Sequence, residues 1–204
     1  MSRQPKRFLT PEQYLEIERA ANFKSEYYEG EMFAMSGARE AHNLVVANVI
    51  SAIHEQFRRR SCRVYPSDMR VLVNSTGLYA YPDVTALCGE PQFQDGVMDT
   101  LLNPVLIVEV LSPSTEAYDR GVKFDHYKNI GSLRDYLLLA TNRIHADLYT
   151  RQPDNRWLLT SASKPEESLT IESVDVQLTV STLYEKIEFS DERGDGPGMQ
   201  PLQI

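Results

Sequence analysis

Residues 105–111 read Val-Leu-Ile-Val-Glu-Val-Leu, with Pro104 before them and Pro113 two places after. A nearly unbroken apolar run of this length is what a strand covered on both faces requires. Ser114 is placed to cap a helix over about 115–129, ended by Gly131. A second apolar strand follows at about 135–140. Strand, helix and strand in succession predict a βαβ crossover with two parallel strands. The expectation is an α/β fold with a central mixed sheet flanked by helices.

Reading outward, Thr10-Pro11-Glu12-Gln13 opens a helix to about Ala21, with Thr10 and Gln13 forming a capping box. Residues 26–35 read as two short extended pieces around Gly30. A longer helix follows Ser36-Gly37, with Val46, Ile50, Ile53 and Phe57 as an apolar stripe and Arg58, Arg59 and Arg60 at its end. Residues 62–73 and 78–88 are strand-like runs separated by Asn74-Ser75-Thr76-Gly77. Further strands are expected near 145–150, 156–162 and 168–172, with Ser181 capping a short last helix to about Ile187. Residues 1–188 read as one domain and 189–204 as a flexible tail. No internal repeat is visible.

The 204 residues carry 21 basic and 29 acidic side chains, a net charge of −8. Residues 1–160 hold 18 basic and 20 acidic residues, whereas 161–195 hold 3 and 9. The whole-chain charge excludes an indiscriminately basic nucleic-acid binder but leaves room for a local basic groove. No apolar run reaches the ~20 residues of a membrane span. The first residues lack the apolar stretch of a signal peptide. Cys62 and Cys88, the two cysteines, stand outside any CxxC spacing. They argue against a disulfide framework and a zinc finger, and a cytoplasmic location is expected.

Two acidic residues are out of place. Glu109 interrupts the most apolar strand, and Asp83 follows Tyr81-Pro82 inside a strand-like run. A buried carboxylate is costly unless it is paired, protonated or bound to metal. Either one could pair with a core Arg or Lys. Two on neighbouring strands are what a hard divalent cation needs. Asp119, Lys123 and Tyr127 are spaced i, i+4, i+8 and share one helix face. That face could simply be solvated. Glu109 lies about 7 Å back from the strand end at ~3.3 Å per residue, and Lys123 about 12 Å back along the returning helix at ~1.5 Å per residue. A lysine stem spans that difference if both face the same side.

The ordered set Tyr81-Pro82-Asp83-Val84, Ile107-Val108-Glu109-Val110-Leu111-Ser112-Pro113-Ser114, then Asp119, Lys123 and Tyr127 resembles the Uma-two family of restriction-endonuclease-like proteins. That family lies in the PD-(D/E)XK nuclease superfamily. Glu29-Gly30-Glu31, Met35-Ser36-Gly37 and Ala41-His42-Asn43 extend the similarity over about residues 10–188. The resemblance implies a restriction-endonuclease-like fold and metal-dependent endonuclease activity on nucleic acid, DNA foremost. It implies Asp83 and Glu109 as ligands of Mg²⁺ or Mn²⁺, with the Val110 carbonyl. The superfamily's lysine falls two residues after the glutamate, where this chain has Leu111. The resemblance therefore implies a lysine migrated to the helix, Lys123, and an earlier acidic residue, Glu31.

His42, Asp119 and Tyr127 are supporting or substrate-binding candidates. His42 shares a face with Val46 and Ile50, which suits a structural histidine, or it hydrogen-bonds near Glu31 or to a phosphate. Tyr127 could pack or touch phosphate. Arg58–Arg63 could be a phosphate patch or a solvated helix end. A homodimer is expected, since cutting two strands suits a two-fold assembly. Two other functions stay open: an inactive binding or regulatory protein on the same fold, and a metal-dependent phosphodiesterase for a smaller substrate.

Overall fold

The computed structural model describes residues 8–189; from residue 190 on, the expected tail lies outside them. Thr10 caps α1 (Pro11–Ala20) through the expected box. Its Oγ1 accepts from the Gln13 N–H at 3.3 Å, and the Gln13 side chain accepts from the Thr10 N–H at 3.0 Å. β1 (Ser25–Tyr28) and β2 (Glu31–Ala34) form a hairpin around Glu29-Gly30. Both turn residues have positive φ, 48° and 85°, as the favoured two-residue hairpin turn demands.

α2 (Glu40–Phe57) buries Val45, Val49, Ile53 and Phe57. The stripe is thus rotated from the one expected: Val46 and Ile50 are only partly buried beside it. Each of the two long strand-like runs divides in two. The first gives β3 (Cys62–Pro66) and β4 (Arg70–Val73), the second β5 (Leu78–Ala80) and β6 (Val84–Cys88). The halves belong to different sheets. β4 and β5 join β1, β2 and β7 (Thr100–Leu101) in a five-stranded sheet ordered β2-β1-β5-β4-β7. β3 and β6 join β8 (Leu106–Leu111), β9 (Asp135–Ala140), β10 (Ala146–Arg151) and β11 (Trp157–Ala162) in a six-stranded sheet ordered β11-β10-β9-β8-β6-β3.

β8 and β9 run parallel and the other pairs of this sheet antiparallel, so the sheet is mixed as expected. Pro66 and Pro82 stand at the crossings between sheets, where a residue without an N–H costs no ladder bond. Tyr81-Pro82-Asp83 is therefore a corner.

The helix expected over 115–129 forms over residues 116–127 with a π-helical turn inside it. α3 (Glu116–Tyr118) leads into a π-helical turn (Asp119–Lys123) and then α4 (Phe124–Tyr127). The Tyr136 hydroxyl donates to the Asp119 carbonyl at 2.9 Å. A side chain inserted into a helix ladder loosens it in this way. β12 (Ser168–Ile171) and β13 (Val176–Thr179) form a separate hairpin, and α5 (Val180–Leu183) is shorter than expected.

Alternation along β8 sorts the layers. Leu106, Val108 and Val110 face α2 and the β12–β13 hairpin. Ile107, Glu109 and Leu111 face Val71, Val73, Leu78 and Ala80 of the five-stranded sheet, together with Tyr127 of α4. The far side of that second sheet packs Leu72 and Tyr79 under Tyr14 and Leu15 of α1. Glu109 thus lies between two sheets.

Cys62 and Cys88 are directly opposed on β3 and β6 and form a disulfide, contrary to the expectation from their spacing. Pairing across antiparallel strands is set by register, not by a short sequence motif. Among the described residues no helix is long and apolar enough to cross a membrane.

Gly30 tests the hairpin. A Cβ there would meet Phe8 Cδ1 at 2.7 Å, on a backbone that side-chain-bearing residues rarely adopt. Gly30→Ala is expected to lower stability by about 1–3 kcal/mol, read from urea unfolding midpoints. Adding Phe8→Gly, which also removes the Phe8 Cβ at 2.9 Å, should recover only the steric part.

Candidate active site between the two sheets

The ladder between β6 and β8 runs from Ala86↔Leu106 to Val84↔Val108. One step further along this register, Asp83 faces Glu109 on the same side of the sheet. The Val110 N–H donates to Asp83 Oδ2 at 2.7 Å, which pins the carboxylate to the strand beside Glu109. His42, at the start of α2, brings Nε2 to 3.2 Å from the same oxygen. Its Nδ1 is buried without a hydrogen-bond partner. Asp83 Oδ1 accepts no hydrogen bond among the described residues.

Lys123 arrives from the π-helical turn. Its Nζ lies 3.0 Å from Glu109 Oε1, 3.3 Å from Glu26 Oε1 and 3.5 Å from Asp119 Oδ1. The Tyr127 hydroxyl donates to the same Glu109 oxygen at 3.0 Å. Asp119, Lys123 and Tyr127 share one face, as their spacing predicts, and that face is buried rather than solvated.

The earlier acidic residue on Lys123 is Glu26, not the expected Glu31. Alternation along β1 explains the difference. Tyr27 packs under α1, so Glu26 and Tyr28 point the other way, into the site layer. Glu31 sits opposite Tyr28 and shares that face, but lies at the hairpin mouth and is only half-buried. Glu26 is two residues deeper and 2% exposed. Its Oε1 also accepts from the Tyr81 N–H at 3.3 Å, while its Oε2 is buried without a partner. The signal for Glu26 was present in the hairpin pattern, which puts residues 26 and 31 on one face; depth was not.

One ammonium group sits among Glu26, Glu109 and Asp119, with Asp83 close by. Burial raises the Glu109 pKa well above the carboxylate range, and crowding by Asp119, Asp83 and Glu26 adds to this against the pull of Lys123. Burial also raises Asp119. Burial disfavours the charge on Lys123, but Glu109 and Glu26 outweigh it, and the amine stays protonated. The cluster therefore has a surplus of acidic groups over cations.

That surplus, with Glu26 Oε2 buried without a partner and Asp83 Oδ1 outside the Val110 and His42 contacts, fits a hard divalent cation. Asp83, Glu109 and the Val110 carbonyl, beyond the last ladder pair with β6, form the fitting donor set. Among the described residues, no three His, Cys, Asp or Glu side chains are already placed to hold a metal ion together.

A second buried network holds the corner in place. Arg70, 1% exposed, donates to the Tyr81 hydroxyl at 2.8 Å and to Thr100 Oγ1 at 3.0 Å, and pairs with Asp99 at 3.0 Å. The Tyr81 hydroxyl in turn donates to Glu18 at 2.9 Å, and both Glu18 oxygens accept from the Ser25 N–H. Tyr81, two places before Asp83, is thus tied to α1, β1 and β4. Arg58 pairs with Glu55, and Arg60 pairs with Asp175. Both lie at the far end of α2 from His42.

This mixed α/β fold has a solved counterpart. A solved structure described as "a putative nuclease belonging to DUF820" from Anabaena variabilis ATCC 29413 aligns with a TM-score of 0.71. The alignment has 16% identity and covers 86% of this chain and 97% of that one. The chain belongs to the Uma2 family, described as "Putative restriction endonuclease", whose model matches residues 11–181.

Two relatives come from Synechocystis sp. (strain ATCC 27184 / PCC 6803 / Kazusa). The uncharacterized protein slr1290 is 33% identical over 181 residues, 89% of this chain and 94% of the relative. The uncharacterized protein sll1609 is 35% identical over 154 residues, 76% of this chain and 87% of the relative.

Asp99 gives the corner network a pH signature. Hydrogen bonds from Arg19 hold its carboxyl well below the usual range, with Thr100 and Arg70 adding to the effect. A depressed folded pKa contributes stability above the unfolded value, about 3.9, that is lost as pH falls through the folded value. Asp99→Asn should be less stable than the parent at neutral pH, and the gap should close on acidification. Urea midpoints across a pH series read this directly.

Proposed function

We propose that the protein is a metal-dependent endonuclease that hydrolyses phosphodiester bonds in DNA and works as a homodimer with Mg²⁺ or Mn²⁺. The observation that carries this reading is the cross-strand pair Asp83 and Glu109, with Lys123 Nζ 3.0 Å from Glu109. The lysine missing after Glu109 in the strand is supplied from the following helical segment.

Asp83, Glu109 and the Val110 carbonyl would hold the cation. The bound cation supplies Lewis-acid polarisation of a phosphate oxygen and activation of water. Val110 and His42 fix Asp83 so that Oδ1 is left for this task. Tyr127 orients Glu109. Lys123, kept protonated by Glu109 and Glu26, provides fixed positive charge next to the scissile phosphate, where negative charge grows in the transition state. Glu26 takes the positioning role expected of Glu31. A lysine in place favours an active enzyme over an inactive binding protein on the same fold.

The test is cleavage of plasmid, linear and single-stranded DNA, and of RNA, with Mg²⁺ or Mn²⁺. Asp83→Ala, Glu109→Ala and Lys123→Ala are each expected to lose about 10²-fold or more in rate. Glu26→Gln should cost more than Glu31→Gln. Undiminished cleavage in the first three variants would overturn the site. Calorimetric titration with Mn²⁺ provides a second readout, with weaker binding expected for Asp83→Ala.

A further inference from the structure

β11 is an edge strand with an open side. Its ladder with β10 is continuous from Arg151↔Trp157 to Ala146↔Ala162, without a bulge. On the same register, the Gln152 N–H donates to the Arg156 carbonyl at 2.7 Å. Residues 156, 158, 160 and 162 therefore direct their backbone groups at β10. Trp157, Leu159 and Ser161 direct theirs away, and among the described residues these groups make no backbone hydrogen bond.

The strand reads Trp-Leu-Leu-Thr-Ser-Ala. It lacks the lysine, proline or bulge by which natural sheets protect an edge. Leu158 and Leu159 are 56% and 48% exposed.

We infer that this edge is the homodimer seam, with β11 of a second copy adding antiparallel to join the two six-stranded sheets. This names the interface of the homodimer proposed above. The occupant follows from the strand's own composition. An antiparallel pair centred on Leu159 sets Leu159 opposite Leu159 of the second copy, Trp157 opposite its Ser161, and Leu158 opposite its Thr160.

In that register the outward N–H and C=O groups of residues 157, 159 and 161 all find partners. Both exposed leucines gain cover, and no like charges meet, because Trp157–Ala162 carries none. A charged or phosphorylated partner would find no complementary group on this strand.

The experiment uses the full chain. Sedimentation over a concentration series should show a species of twice the chain mass. Leu159→Pro removes an outward N–H that the β10 ladder does not use, and should leave a folded monomer. Leu159→Lys should act in the same direction, and circular dichroism confirms the fold of both. Directly opposed residues of a hydrogen-bonded pair lie about 5.5 Å apart, within disulfide reach. Cys62 and Cys88 are already paired. Leu159→Cys should therefore give an oxidant-dependent covalent dimer, and exposed Val97→Cys should not.

A monomeric parent at all concentrations would overturn the seam. So would a dimer that persists in both Leu159→Pro and Leu159→Lys, or one that Leu159→Cys fails to cross-link. A parent that dimerises only after removal of residues 190–204 would assign the edge to that segment instead. Cleavage by a monomeric Leu159→Pro protein would leave the Asp83–Glu109 reading standing, so the two proposals fail separately.

Discussion

The ammonium group of Lys123, buried among three carboxylates, is the interaction on which the arrangement depends. Each of its partners comes from a different part of the chain: Glu26 from the hairpin, Glu109 from the central strand, Asp119 from the π-helical turn. Removing the cation would leave acidic groups facing one another in a layer nearly closed to water, a severe cost. Removing one carboxylate would leave the others short of a shared arrangement. The lysine thus ties the five-stranded sheet to the six-stranded one by charge, where the surrounding contacts tie them by apolar packing.

The neighbouring polar network has the same logic, a buried cation held by acidic and hydroxyl partners. Arg70 is the buried cation there, and Tyr81 links its hydroxyl to Glu18 and its backbone to Glu26. Tyr81 therefore belongs to both networks, and Pro82 and Asp83 follow it at the crossing between sheets. The position of Asp83 is set from two sides: by Val110 and His42 directly, and by the anchored corner behind it.

Much of this was legible in the chain, and the exceptions have physical causes. The limits of β8 and β9 follow from apolar runs bounded by prolines and turn residues. The face shared by Asp119, Lys123 and Tyr127 follows from their spacing, and the rank of Glu109 follows from a charge where none should be. Pro66 and Pro82 were read inside continuous strands, because local propensity does not say which sheet a strand joins. The π-helical turn depends on a hydroxyl from β9, seventeen residues away in sequence. Glu26 and Glu31 share a face, and only the stacking of the second sheet makes one deep and the other shallow. The pairing of Cys62 with Cys88 rests on the β3–β6 register, which is a tertiary fact.

The division of the chain between two sheets bears on how the molecule is made. Two adjacent stretches of sequence each split, one half to either sheet, so neither sheet can be completed without the chain passing to the other. Long-range pairing of this kind makes folding slow and cooperative. The cluster around Lys123 draws on residues 26 to 127, so no early intermediate holding one sheet alone contains it. A chain emerging during synthesis carries its acidic residues scattered and harmless. The concentration of charge arises only when the two sheets close on each other.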